Sequence, residues 1–312
     1  MTRAQLYTPI LATLMAVAAL LVTAPRAAAD GPGILLLAHG GSADWNARVT
    51  ELARDLDQAQ PVEVAFGMAT RRTMQEAIDR LNARGVSHIV AVPLFVSSWS
   101  SVITASEFLL GLRADAPPEL AMFARMDHGA PAAAGSHAEH AAPADGATPV
   151  TSTAPIVRMT PALNAHPLVG AVLATRARAI SRTPATEAVV LVAHGPVTDD
   201  ENARWLADMR PLAAQVARDG GFAVVDALTV RDDAPRPVRD AATAELRALV
   251  SRHLEAGRRV LIVPLLLSFG GIERGIAERL QSLPYTLTDA ALMPDPRIAQ
   301  WVREMAGAVV AR

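Results

Sequence analysis

Two histidines occupy the same short phrase of sequence. Leu35-Leu36-Leu37-Ala38-His39-Gly40 returns as Val190-Leu191-Val192-Ala193-His194-Gly195, and each histidine is followed by Asn-Ala-Arg, at Asn46-Ala47-Arg48 and Asn202-Ala203-Arg204. Neutral imidazole beside a cleft suits a divalent metal such as cobalt, nickel or iron, or the role of proton acceptor. A histidine found once in this setting reads as structural, whereas the same histidine in the same local frame twice points to function. His39 and His194 are therefore the leading candidates for catalysis and for holding metal.

Further metal candidates are His166, which precedes Pro167 at a helix start, and His128, His137 and His140, which lie in a segment rich in Ala, Gly and Pro. His166 has a bland reading as a helix cap, since the matching position is Asp295, also a good cap. The other three have the reading of incidental histidines in a linker. Arg71 and Arg72 follow one apolar strand run and Arg231 follows its counterpart, where guanidinium groups would suit a ligand bearing several carboxylates. Solvated surface arginine is the competing reading. His88 and His253 precede strands, away from the expected cleft, and are treated as ordinary.

Composition narrows the chemistry. The 312 residues carry a formal charge of -2, with acids and bases nearly balanced, which gives no sign of nucleic acid or of an anionic membrane surface as partner. There is no lysine, so Schiff-base and P-loop lysine chemistry are excluded; there is no cysteine, so disulfides, thiolate nucleophiles and cysteine-ligated metal are excluded too. Arg3, an apolar stretch from Ile10 to Ala24 and Ala27-Ala28-Ala29 follow the order of a secretory signal, with cleavage expected after Ala29. The apolar stretch is shorter than the ~20 residues of a spanning helix. A periplasmic or secreted protein starting near Asp30 is the expectation, with no stable membrane span after signal removal.

The elements that must position the histidines follow from the hydrophobic pattern. Ile34–Leu37, Val62–Phe66 and Ile89–Val96 read as strands, separated by helices over Asp44–Gln58 and Thr73–Ala83 and followed by one around Ala105–Leu112. Strands at Ala188–Val192, Ala223–Leu228 and Val260–Leu267, with helices at Glu201–Arg218 and Pro237–Ala256, repeat that order, and Pro264 stands where the first half has Pro93. Ala162-Leu163-Asn164-Ala165-His166-Pro167 matches Ala291-Leu292-Met293-Pro294-Asp295-Pro296, each leading into a closing helix. A unit of about 125 residues occurring twice is a domain duplication rather than a solenoid. Strands alternating with helices imply parallel sheets, and ligands of such sheets bind beyond the carboxyl ends of the strands.

The expected fold is α/β: two tandem parallel-sheet, flavodoxin-like units of three layers with a cleft between them, the first over 33–183 and the second over 187–312. Residues 127–154 form an insert without counterpart, expected to be a mobile loop. If Leu120–Ala124 is a strand, that insert leaves at the carboxyl edge where His39 sits.

Strand-Ala-His-Gly, the helix Asn, a later Val-Pro-Leu-Phe-Val strand at Val92-Pro93-Leu94-Phe95-Val96 and the tandem α/β units together resemble the CbiX-type sirohydrochlorin chelatases, class II chelatases distantly related to ferrochelatase. The resemblance covers nearly all of Gly33 to Arg312 apart from the insert. It implies ATP-independent insertion of cobalt, iron or nickel into a tetrapyrrole held between the units, with no nucleotide. Carried over by position, His39 matches the first family histidine, which binds metal and accepts pyrrole protons, and His194 is its duplicate. The family's second histidine follows the Pro-Leu-Phe strand; here that place reads Ser97-Ser98-Trp99-Ser100-Ser101, and in the second unit Ser268-Phe269-Gly270-Gly271. Neither contains histidine. Export is a second departure, because tetrapyrrole synthesis is normally cytoplasmic. The alternative expectation is an exported, non-catalytic binding protein for metal or tetrapyrrole.

Overall fold

The structure is a computed structural model in which residues 31–123 and 148–310 are described; His128, His137 and His140 lie outside them. The first unit contains strands β1 (Gly33–Ala38), β2 (Val62–Phe66), β3 (Ile89–Leu94) and β4 (Ile156–Met159), and helices α1 (Ala43–Leu56), α2 (Arg71–Ala83), α3 (Ser101–Leu109) and α4 (Leu120–Phe123). Helix α5 (Pro167–Ile180) follows. The second unit contains β5 (Glu187–Ala193), β6 (Val224–Thr229), β7 (Arg259–Leu265) and β8 (Thr286–Leu287), with α6 (Asp199–Gly220), α7 (Arg236–Glu255), α8 (Ile272–Arg279) and the closing α9 (Pro296–Val310).

Each unit holds a four-stranded parallel sheet, in the orders β2-β1-β3-β4 and β6-β5-β7-β8. The central strands are continuous apolar runs because helices cover both faces of the sheet. Along β1, Leu35 and Leu37 face α2 and α3, while Ile34, Leu36 and Ala38 face a core shared by the two halves. Along β5, Val190 and Val192 face α7 and α8, while Val189, Leu191 and Ala193 enter that same shared core.

The helices of the shared core are exchanged. Helix α5, which closes the first half in chain order, packs on α6 and β7 of the second sheet, and α9 packs on β3 and α1 of the first. Hydrogen bonds repeat the pattern. Arg176 of α5 donates to the carbonyls of Ala291 and Pro294, Arg297 of α9 donates to the carbonyl of Ala171, and Arg303 of α9 pairs with Asp55 of α1 at 3.0 Å. Packing thus crosses twice between the two halves of the chain.

Three sequence expectations change. Leu120–Phe123 is a helical turn rather than a strand, and Phe123 and Leu120 are buried against α3 and its neighbours. The fourth strand of each sheet is the short edge strand β4 or β8. The end of the expected insert is packed: Val150 donates its N–H to the Leu109 carbonyl, Thr151 bonds Gln75, and Ala154 is buried beside Asn82. Residues 148–154 run along α2, from its first turn at Arg71 to its last at Asn82, and carry the chain into β4.

Glu187, at the start of β5, is 1% exposed. Burial alone would raise its pKa, but hydrogen bonds from the Ser181 hydroxyl, the Arg182 N–H and the Arg259 guanidinium outweigh it and hold the carboxyl below its ordinary value. A depressed folded pKa stabilises the protein above the unfolded value, and that contribution is lost as pH falls through the folded one. Glu187→Gln is expected to cost roughly 2 kcal/mol at neutral pH. Its deficit against the wild type should shrink as the medium is acidified through the carboxylate range, as urea titrations at several pH values would show.

Candidate functional site

His39 and His194 stand where β1 and β5 end, each followed by a glycine with positive φ, +81° at Gly40 and +79° at Gly195. The glycine lets the chain turn sharply from strand to helix and leaves the imidazole at the carboxyl edge. The two positions are not equally roomy. A Cβ on Gly40 would meet nothing closer than 3.6 Å, whereas one on Gly195 would stand 2.5 Å from Thr229 Cβ. Gly40→Ala is therefore expected to cost about 1 kcal/mol through backbone strain alone, and Gly195→Ala at least roughly twice that because Thr229 must also move. Denaturant unfolding of the two variants tests the order.

The two turns are held differently. In the first, Asn46 Oδ1 accepts the Gly41 N–H at 2.9 Å, and His39 Nδ1 donates to its neighbour's carbonyl, Gly40 O, at 2.6 Å. That bond places the proton on Nδ1, so Nε2 is the nitrogen through which exposed His39 meets anything else. In the second, Nε2 of half-buried His194 lies 3.4 Å from Asp233 Oδ2. A strap fixes the loop beyond it: Arg231, buried and with positive φ, donates to the carbonyls of Pro196 and Val197 and to the Asp199 carboxylate at 2.6 Å. Arg231 is thus committed inside its own unit, which removes it from the groups offered to ligand carboxylates. Arg71 and Arg72 form the first turn of α2. Arg71 Nε donates to the Thr148 carbonyl at 3.0 Å, and exposed Arg72 pairs with Glu76 at 3.1 Å.

His166 is the N-cap of α5. Its Nδ1 accepts the Leu168 N–H, and its Nε2 faces Glu304 of α9 at 3.6 Å, so both nitrogens serve the helix pair. Asp295 caps α9 in the equivalent way, accepting from the Arg297 N–H. Buried His253 is bonded to Asp226 of β6 at 2.7 Å. Among the described residues, no group of three or more His, Asp or Glu side chains is placed to hold a metal. No helix among them is long and apolar enough to cross a membrane.

The two carboxyl edges lie on the same side of the protein, joined by the loops after β3 and β7. Gly270, after β7, approaches Trp45 of α1, whose ring also lies beneath Gly41. Trp99, after β3, accepts on its carbonyl the indole N–H of Trp205 of α6, at 2.6 Å. Arg204 stacks over the Trp99 ring, 4.7 Å from its centroid, and burial raises the pKa of Asp208, opposed by the nearby Trp99 indole. Asn164 holds the base of this loop through the Ser98 N–H and hydroxyl. Sequence reasoning missed Asp233, Trp99 and Asp208; the repeated Asn-Ala-Arg triplet was the one signal leading to Arg204.

The sequence and the fold are similar to those of known proteins. Residues 33–106 fit the model of the CbiX family. The match lies within the first unit. Among solved structures, SirB from Bacillus subtilis with Fe3+ superposes with a TM-score of 0.57 at 16% identity, over 90% of this chain and 98% of that one. The sirohydrochlorin chelatase SirB from Bacillus subtilis subspecies spizizenii in complex with cobalt gives 0.56 at 14%, over 88% and 93%. A structure of CbiX, described as the terminal enzyme of siroheme biosynthesis in denitrifying bacteria, gives 0.51 at 16%, over 88% and 98%. No curated protein matches the chain. The fold is the two-unit α/β fold of these chelatases.

Proposed function

We propose that the protein is a chelatase-like lyase that inserts a divalent metal, cobalt first and nickel or iron as alternatives, into a sirohydrochlorin-type tetrapyrrole without ATP. The observation that carries this reading is His39, exposed at the carboxyl end of β1 with its Nδ1 bonded to the Gly40 carbonyl. As the metal enters, each ring N–H that becomes a ligand loses its proton, so the site needs metal donors and proton acceptors close together. His39 is assigned as principal metal ligand and base. His194, with Asp233 as a carboxylate neighbour, is its partner across the cleft. Arg71 and Arg72 are assigned to the carboxylates of the macrocycle.

A second reading, an exported carrier of metal or tetrapyrrole, is supported by the loops after β3 and β7, where the resemblance implies a histidine and the sequence has none. One assay separates the two: purified protein, sirohydrochlorin and Co2+, without nucleotide, followed by absorbance. Acceleration over the uncatalysed rate supports the enzyme, and tight Co2+ or tetrapyrrole binding without acceleration supports the carrier. The export proposal for residues 1–29 is tested separately by N-terminal sequencing of the protein from the periplasm, with a start near Asp30 as the expected result.

A further inference from the structure

Internal duplication supplies a reference for the loop after β3. Aligned from their buried serines, Ser97 and Ser268, the two loops place Trp99 opposite Gly270. In the second unit, Gly270 makes room for the Trp45 ring of the facing helix. In the first, the loop itself supplies the aromatic ring and α6 supplies the groups around it. Trp99 is 42% exposed, while Trp45, Trp205 and Trp301, the remaining tryptophans of the chain, are buried. Closing the inter-unit contact requires only the Trp99 carbonyl, which accepts the Trp205 indole N–H. That bond does not explain why a large apolar face is left in water beside a cationic guanidinium, at the edge where ligands of a parallel sheet bind.

We infer that Trp99 and Arg204 form a recognition ledge for a planar, carboxylate-bearing macrocycle, the indole face stacking on the ring system and the guanidinium holding a peripheral carboxylate. The inference rests on the tetrapyrrole reading above and names residues for it that the histidine pair does not supply. Planar π-systems stack offset on indole, and guanidinium can lie against an aromatic ring while its N–H fork engages a carboxylate. Asp208, on the same helix as Arg204, carries a buried carboxyl oxygen. Its Oδ2 is buried without a partner among the described residues, and burial raises its pKa against the opposing influence of the Trp99 indole.

The test uses the full mature chain and uroporphyrin, a metal-free polycarboxylate porphyrin, with binding read from the Soret shift and from quenching of the exposed tryptophan. Trp99→Ala is expected to weaken binding by about tenfold or more, and Trp99→Phe, which keeps a stacking face and loses the indole N–H, by no more than about threefold. Arg204→Gln, at an exposed helix position, should weaken binding several-fold and flatten its salt dependence without lowering Tm. Wild-type affinity in both Trp99→Ala and Arg204→Gln would overturn the ledge and leave the chelatase reading standing. A loss in Trp99→Phe equal to that in Trp99→Ala, with a matching fall in Tm, would assign Trp99 to holding the units together and also overturn it. Failure of the wild-type protein to bind any porphyrin would overturn both readings.

Discussion

His39→Ala is expected to reduce Co2+ insertion into sirohydrochlorin by at least about a hundredfold, the scale of removing a positioned base that is also a metal donor. The same variant should keep the wild-type melting temperature within a few degrees, because the side chain is exposed and the turn beneath it is held by Asn46 and Gly40. His194→Ala should have the smaller effect on metal binding, since its Nε2 already faces Asp233. Stopped absorbance assays with Co2+ varied at fixed tetrapyrrole would separate the two roles. If His39→Ala inserts metal at the wild-type rate, the chelatase reading of the β1 turn fails. If it loses Co2+ affinity and the wild type shows no insertion, the carrier reading replaces it.

The second large effect concerns stability. Expressed alone, residues 30–183 should fail to give a cooperative melt, because the inner face of their sheet is covered by α9, which lies beyond residue 295. Residues 187–312 should fail for the mirror reason, lacking α5 on β7. Mixed, the two pieces should recover the native circular dichroism spectrum and a single transition. Trp301→Ala tests the same packing within the intact chain. Trp301 is fully buried in α9 within the shared core, and its truncation should cost about 3–5 kcal/mol. A cooperative transition in either isolated half would contradict the exchange of helices.

The parallel strands were legible in the sequence because strands covered on both faces are written as unbroken apolar runs, and Ile34–Ala38 and Ala188–Ala193 are fully buried. The edge strands were not, because four residues at Ile156–Met159 and two at Thr286–Leu287 are half exposed and too short for a period to show. Leu120–Phe123 misled for a related reason, since a short apolar cluster does not distinguish one helical turn from a strand. The histidines at the strand ends were legible through the duplicated phrase. The fate of Arg231 was not: its position after β6 is visible in sequence, while the return of its guanidinium to Pro196, Val197 and Asp199 depends on a loop conformation that sequence does not specify. The exchange of α5 and α9 was hidden as well. Periodicity shows that a helix has an apolar face, and it is silent about which of two similar sheets that face will cover.

The exchanged helices bear on how such a chain could have arisen. A half-length ancestor built to this plan could not complete its own sheet, so it would exist as a two-fold symmetric pair of subunits, each lending its last helix to the other. Joining the copies end to end through residues 181–187 turns that association into an intramolecular event, independent of protein concentration. Symmetry is then no longer enforced by identity of the subunits. The two His-Gly turns could diverge, one leaving His39 in solvent and the other placing His194 beside Asp233 behind the Arg231 strap, and a tryptophan could be kept in one loop and a glycine in its twin.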